Sequence, residues 1–123
     1  YIFNLDADEW MFEHILQELR QEIVSIGIDL VFLPRINTVD GLTKEDIKKW
    51  NWTINEKGWV NWPDYQPRIY KNNRQILWAG SVHERLEGYK SSAAVNDDGR
   101  VAIIHHKNID RQRAQNNFYD KIV

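Results

Sequence analysis

Tyr1-Ile2-Phe3-Asn4-Leu5-Asp6-Ala7-Asp8-Glu9-Trp10 opens the chain, and the rest of the sequence arranges itself around it. Tyr1, Phe3 and Leu5 alternate with Ile2 and Asn4, and no turn residue interrupts them, which is the pattern of a short buried strand. Asp6-Ala7-Asp8-Glu9 then sets three carboxylates within four residues, just ahead of an apolar helical pattern. Like charges this close repel one another, and either solvent or a divalent cation offsets the cost. A hard cation such as Mg²⁺ or Mn²⁺ prefers oxygen ligands and often bridges one or two carboxylates to a substrate's phosphates. A plainer reading stands beside it. Asp8 caps the following helix, while Asp6 and Glu9 favour its positive end.

Working outward, Phe12, Ile15, Leu16, Leu19, Ile23 and Ile26 recur at three- and four-residue spacing and predict an amphipathic helix over 9–25, stopped by Gly27. His14 belongs to its surface, away from the carboxylates. Asp29 to Asn37 reads as the next strand. Strand, helix and strand in succession predict a parallel βαβ unit with a right-handed crossover, and Pro34 marks an edge or a bend. Thr43-Lys44-Glu45-Asp46 starts a short helix running to Trp50. Four of the six tryptophans, Trp50, Trp52, Trp59 and Trp62, fall in the aperiodic stretch 50–64. Their flat faces suit stacking on sugars or bases, or else close over a small core.

Further along, Gln66 to Lys71 and Ile76 to Ala79 read as strands on either side of an Asn72-Asn73 turn. His83-Glu84 lies in the loop that follows. Catalytic groups often occupy such loops, and so do ordinary surface pairs. Asn96 to Arg100 is a turn, and Val101 to Ile104 is a buried strand that runs into His105-His106. Imidazole there would suit Mn²⁺ as a further protein ligand. A strongly polar helix closes the chain at about 110–122.

Bulk properties narrow the function. A chain of 123 residues is one domain, long enough to bury a true core. No apolar run reaches the length of a membrane span, and no stretch has the parts of a signal peptide. A net charge of −2 with scattered basic residues argues against a nucleic-acid binder. The absence of cysteine rules out disulfides and thiolate metal sites and fits a reducing compartment. The chain starts inside a strand, without methionine, so it is expected to be a piece of a larger protein.

Four signals stand in order: the strand ending in Asp6-x-Asp8-Glu9, then Gln66-Pro67-Arg68-Ile69-Tyr70-Lys71-Asn72, then Trp78-x-Gly80-x-Val82-His83-Glu84-x-Leu86, then Ile104-His105-His106 before a helix with Arg113 and Asn116. This order resembles the second half of the family-two glycosyltransferases of the GT-A fold, in the bacterial branch with Leu-Asp-Ala-Asp-Glu, Arg-Leu-Phe-Arg-Asn and Gly-x-Val-His-Glu motifs. The resemblance covers nearly the whole chain. It implies an inverting, metal-assisted transfer of a sugar from a nucleotide-diphospho-sugar to a hydroxyl of a glycan or lipid-linked acceptor. It makes Asp8 the direct ligand of Mn²⁺ or Mg²⁺, with Asp6 facing the ribose or the metal through water. It makes Glu84 the base that takes the acceptor proton, flanked by His83, and His105 a metal ligand, with His106 one position away as the other choice. Arg68 would contact phosphates or hold the acceptor loop. Trp59 and Trp62 lie where the family binds acceptors.

The resemblance implies an α/β fold, a partial GT-A mixed sheet flanked by the 9–25 and 110–122 helices, without the nucleotide-binding half. Such a piece is expected to have little activity alone. It would also expose a Tyr1–Leu5 edge that favours pairing with a second copy. A cytoplasmic place, at the inner face of the membrane, goes with that family. Two other readings remain open. One is a non-catalytic carbohydrate-binding or interaction module with the tryptophans as platform. The other is a metal-dependent hydrolase using Asp6, Asp8, Glu84 and His105.

Overall fold

The computed structural model describes residues 1–81 and 83–122, leaving out the side chains of Tyr119, Asp120 and Ile122. It is a mixed α/β structure built on β3 (Leu30–Asp40), an eleven-residue strand. On one side β3 pairs antiparallel with β4 (Asp64–Tyr70), which in turn pairs antiparallel with β1 (Ile2–Phe3) at the sheet edge. On its other side β3 pairs parallel with β7 (Ser92–Ala94) over its first residues. From Arg35 onward it pairs parallel with β8 (Ile103–Asn108), and β8 carries β2 (Glu9–Trp10) antiparallel on its far side. A separate hairpin joins β5 (Leu77–Ala79) to β6 (Arg85–Glu87). The helices are α1 (Glu13–Ile26), α2 (Lys44–Lys49) and α3 (Ile109–Ile122). Among the described residues no helix is long and apolar enough to cross a membrane.

The apolar stripe of α1 does what its spacing predicts. Leu19 and Ile23 pack on Val31, Leu33, Ile69, Val101 and Ile103, and Gly27 ends the helix at φ 74° with its N–H on the Ile23 carbonyl. Residues alternate across a strand, so Leu30 and Phe32 face the other way. They join Tyr70, Ile76, Leu86 and Trp78 in a second cluster beneath the β5–β6 hairpin. The expected capping box forms at α2, where Thr43 Oγ1 accepts from the Asp46 N–H and Asp46 accepts from the Thr43 N–H.

Three local expectations differ from the structure. The first strand stops early, and the helix starts at Glu13 and not at Glu9, with Phe12 at its N-cap and no side-chain cap. Glu9 and Trp10 are strand, because pairing with β8 and two arginines hold Glu9 there. Asp8 therefore caps no helix. β1 and β3 run parallel, as a βαβ unit requires, but β4 lies between them. Pro34 sits in the middle of the central strand and not at an edge. Leu30 donates its N–H to Ser91 and Phe32 accepts from Val95, so the even positions of β3 point their backbone toward β7 and β8. Pro34 falls in the gap between those two partners, where a missing N–H breaks no ladder bond.

Candidate functional site

The face of the sheet that carries the core changes character midway. Along β3 it runs Val31, Leu33, Arg35, Asn37, and along β8 it runs Ile103, His105, Lys107. Apolar residues lie under α1, and polar ones lie beyond its reach. Register places Glu9 of β2 and Asn37 of β3 opposite His105 on either side, so three elements far apart in sequence meet in one row.

Glu9 organises the carboxylate turn. Its N–H donates to the Asp6 carbonyl (3.0 Å), while its Oε1 accepts from the Asp6 N–H (3.0 Å). Arg35 Nη1 donates to Oε2 at 2.8 Å, and Arg68 Nη2 lies 3.1 and 3.2 Å from the two oxygens. The Glu9 side chain is fully buried. Burial alone would push its carboxyl up, but the hydrogen bonds from Arg35, the Asp6 N–H and Arg68 outweigh it and hold it below the ordinary value. Arg68 also reaches Asp6 Oδ2 at 3.3 Å, so it holds the turn from beneath. Its Nε is buried without a partner among the described residues.

Asp8 points from the same turn at His105. Its Oδ2 lies 2.9 Å from His105 Nε2 and accepts from Arg111 Nη2 of α3 at 2.9 Å. Burial raises the Asp8 carboxyl, and the bond to His105 with the charges of His105 and Arg111 more than reverse this. The other ring nitrogen of His105 faces Asn37 Oδ1 at 2.7 Å. That amide has one orientation, because Asn37 Nδ2 donates to Asp64 Oδ2 at 2.7 Å. An amide oxygen only accepts, so His105 Nδ1 carries a proton. In the neutral ring, Nε2 is then a lone pair aimed at a carboxylate, and two acceptors face each other until a proton or a cation lies between them. Asp64 is held in turn by Arg35 Nε (2.9 Å) and Gln66 Nε2 (2.8 Å).

The donor set fits a hard cation in part. Asp8 supplies an oxygen and His105 a nitrogen lone pair fixed by the amide behind it, as metal-binding histidines require. Among the described residues no three His, Asp or Glu side chains converge to hold an ion. Mg²⁺ and Mn²⁺ sites that keep waters and phosphate oxygens need no more than one or two protein ligands. Asp6 stands beside Asp8, half-exposed.

Other predicted residues lie elsewhere. His106 faces the opposite side of the sheet, with Nδ1 on Thr38 Oγ1 (2.6 Å) and Nε2 on Asp40 Oδ2 (2.9 Å), so strand alternation leaves His105 alone facing Asp8. His83 and Glu84 are exposed in the β5–β6 loop, outside the strands β2, β3 and β8 that carry Glu9, Asn37 and His105. Val82 of that motif lies outside the described residues. Trp59 and Trp62 pack edge-on to each other with centroids 4.7 Å apart, Lys57 lies 4.8 Å over Trp59, and Gly99 abuts that ring's edge. Trp52 is the tryptophan that borders the polar cavity, a space of about 260 Å³ beside His105.

Sequence reasoning passed over Arg35, Asn37, Asp64 and Lys107. The faint signal was their spacing, since Arg35 and Asn37 alternate in β3 as His105 and Lys107 do in β8. Comparison of the chain with protein-family models, with curated proteins and with solved structures found no match to any of them.

Proposed function

We propose that the chain carries the metal-binding part of an inverting glycosyltransferase site of the GT-A kind, acting on a nucleotide-diphospho-sugar and an acceptor hydroxyl. The observation that supports it most is the meeting of Asp8 and His105, 97 residues apart, at 2.9 Å, with the His105 proton directed to Nδ1. In this reading Asp8 and His105 hold Mn²⁺ or Mg²⁺, and Asp6 lies toward the ribose or a metal-bound water. When bound, the cation stabilises the negative charge that grows on the departing nucleoside diphosphate. Glu9 and Arg68 keep the Asp6–Asp8 turn in place. Glu84, with His83 beside it, takes the proton of the acceptor hydroxyl by its position in the motif order.

Adding Mn²⁺ to isotope-labelled protein, with and without uridine diphosphate, tests this by paramagnetic broadening in NMR. Selective loss of the Asp6, Asp8 and His105 signals, sharpened by the nucleotide, is the expected result. Broadening scattered over unrelated surface carboxylates would sink the reading.

A further inference from the structure

We infer that the cavity between β8, α3 and the 50–62 loop binds a small sugar-sized ligand through an oxyanion, a carboxylate or a phosphate carried on the ring. The cavity's volume of about 260 Å³, at roughly 30 Å³ for each water, leaves space for several waters or one substituted ring. Its wall is built from Trp52, Asn61, Gln112 and Gln115 together with the residues around His105. Trp52 contributes an indole, and among the described residues Asn61, Gln112 and Gln115 keep amide groups beyond those bonded to Thr53, Asn116 and Lys107, a composition that suits a hydroxylated ring.

Lys107 sets the charge. It is 8% exposed, and among the described residues its Nζ bonds to Gln115 Oε1 alone. An ammonium has three donors, so two remain for a ligand. Burial and the nearby Arg111 and Arg35 charges disfavour its ammonium, and Asp8 and Glu9 offset this only from a distance. A buried charge with no counter-ion in contact is costly unless a ligand completes the site. The carboxylates nearby are already committed. Asp8 and Glu9 are the carboxylates whose charges reach Lys107. Asp8 is held by His105 and Arg111, Glu9 is shared by Arg35 and Arg68, and Asp64 is taken by Arg35, Asn37 and Gln66. Among the described residues no carboxylate forms an ion pair with Lys107. A neutral sugar would leave that cation unmatched, whereas an acidic or phosphorylated one completes it.

Lys107 and the cavity would take this ligand without a metal. Under the transferase reading, the ligand would be the acidic substituent of the acceptor.

The experiment titrates isotope-labelled chain with glucuronate, glucose 6-phosphate and glucose, in chelator and without nucleotide, following the Lys107, Gln112, Gln115 and Trp52 signals. At least one charged sugar is expected to shift them saturably at a concentration ten-fold or more below that of glucose. Whether glucuronate or glucose 6-phosphate binds tighter separates carboxylate from phosphate. Lys107→Met should weaken that binding ten-fold or more, and Lys107→Arg should keep most of it. Equal response to glucose, no response at the cavity from any of the three, or unchanged binding by Lys107→Met would each overturn the proposal. The comparison of charged and neutral sugars uses the unaltered chain, so it decides the matter even where a variant fails to fold. Because metal and nucleotide are absent, failure here leaves the Mn²⁺ result untouched.

Discussion

Asp6 and Glu9 stand three residues apart with the same charge, and the structure gives them opposite burdens. Glu9 is fully buried between two guanidinium groups, whereas Asp6 is 54% exposed. Removing one partner of a buried ion pair leaves the others without a counter-charge and costs about 3–5 kcal/mol. Glu9→Ala should therefore lower the urea unfolding free energy by about that amount. An exposed pair is worth no more than about 1 kcal/mol, so Asp6→Ala should cost about that or less in the same measurement. Asn37 has a different burden, because it directs the proton of His105. In Asn37→Ala the ring loses its amide acceptor. Nitrogen-15 spectra should then show the neutral ring no longer confined to the Nδ1–H form, and Mn²⁺ affinity should fall about 10- to 100-fold. Asn37→Asp restores an acceptor at that place and should recover the Nδ1–H form. Unchanged ring spectra in Asn37→Ala would refute the assignment.

At the scale of elements, α3 is the lid of this site, and two arginines two residues apart tie it down to different partners. Arg111 holds Asp8, and Arg113 grips Asp46 of α2 through Nη2 (2.8 Å) and Nε (3.3 Å). A cation taken up by Asp8 must compete with the Arg111 guanidinium. Arg111→Ala should accordingly tighten Mn²⁺ binding by up to about 5-fold, the equivalent of an exposed ion pair, as read by titration. The hydrogen bond from Arg113, joined by those from Thr43, holds the Asp46 carboxyl below its ordinary value of 3.8. Because the folded value is the lower one, this contribution to stability is complete above 3.8 and disappears as pH falls through the folded value. Circular dichroism during acid titration should show α3 loosening below pH 3.8. The Arg113→Gln variant should show a weaker pH dependence, leaving the part that Asp8 and Arg111 supply.

Over the whole molecule, the sheet separates two apolar clusters and places the polar site at the end of one of them. Leu33 and Ile103 are fully buried where core gives way to site. Leu33→Ala should cost about 2–5 kcal/mol in chemical denaturation, while Leu77→Ala, at 63% exposure, should change stability little. Much of this plan was legible in the chain. The three- and four-residue spacing of Leu16, Leu19 and Ile23, the glycine at 27, the Thr43–Asp46 box and the apolar run before His105 are local signals, and local structure follows them. Glu9 was not legible as strand, because what holds it are Arg35 and Arg68, 26 and 59 residues away. β7 shows no apolar alternation and exists through its pairing with β3. By itself the sequence determined the mixed α/β class, the amphipathic helix and the gathering of acids after the first residues, since these depend on neighbours within a few positions. Only the tertiary structure decided that Asp8 faces His105 and not a helix end, that His106 turns away, and that Lys107 lies buried with no carboxylate bonded to it among the described residues. Those outcomes depend on strand register and on which charges remain after the long-range pairs have formed.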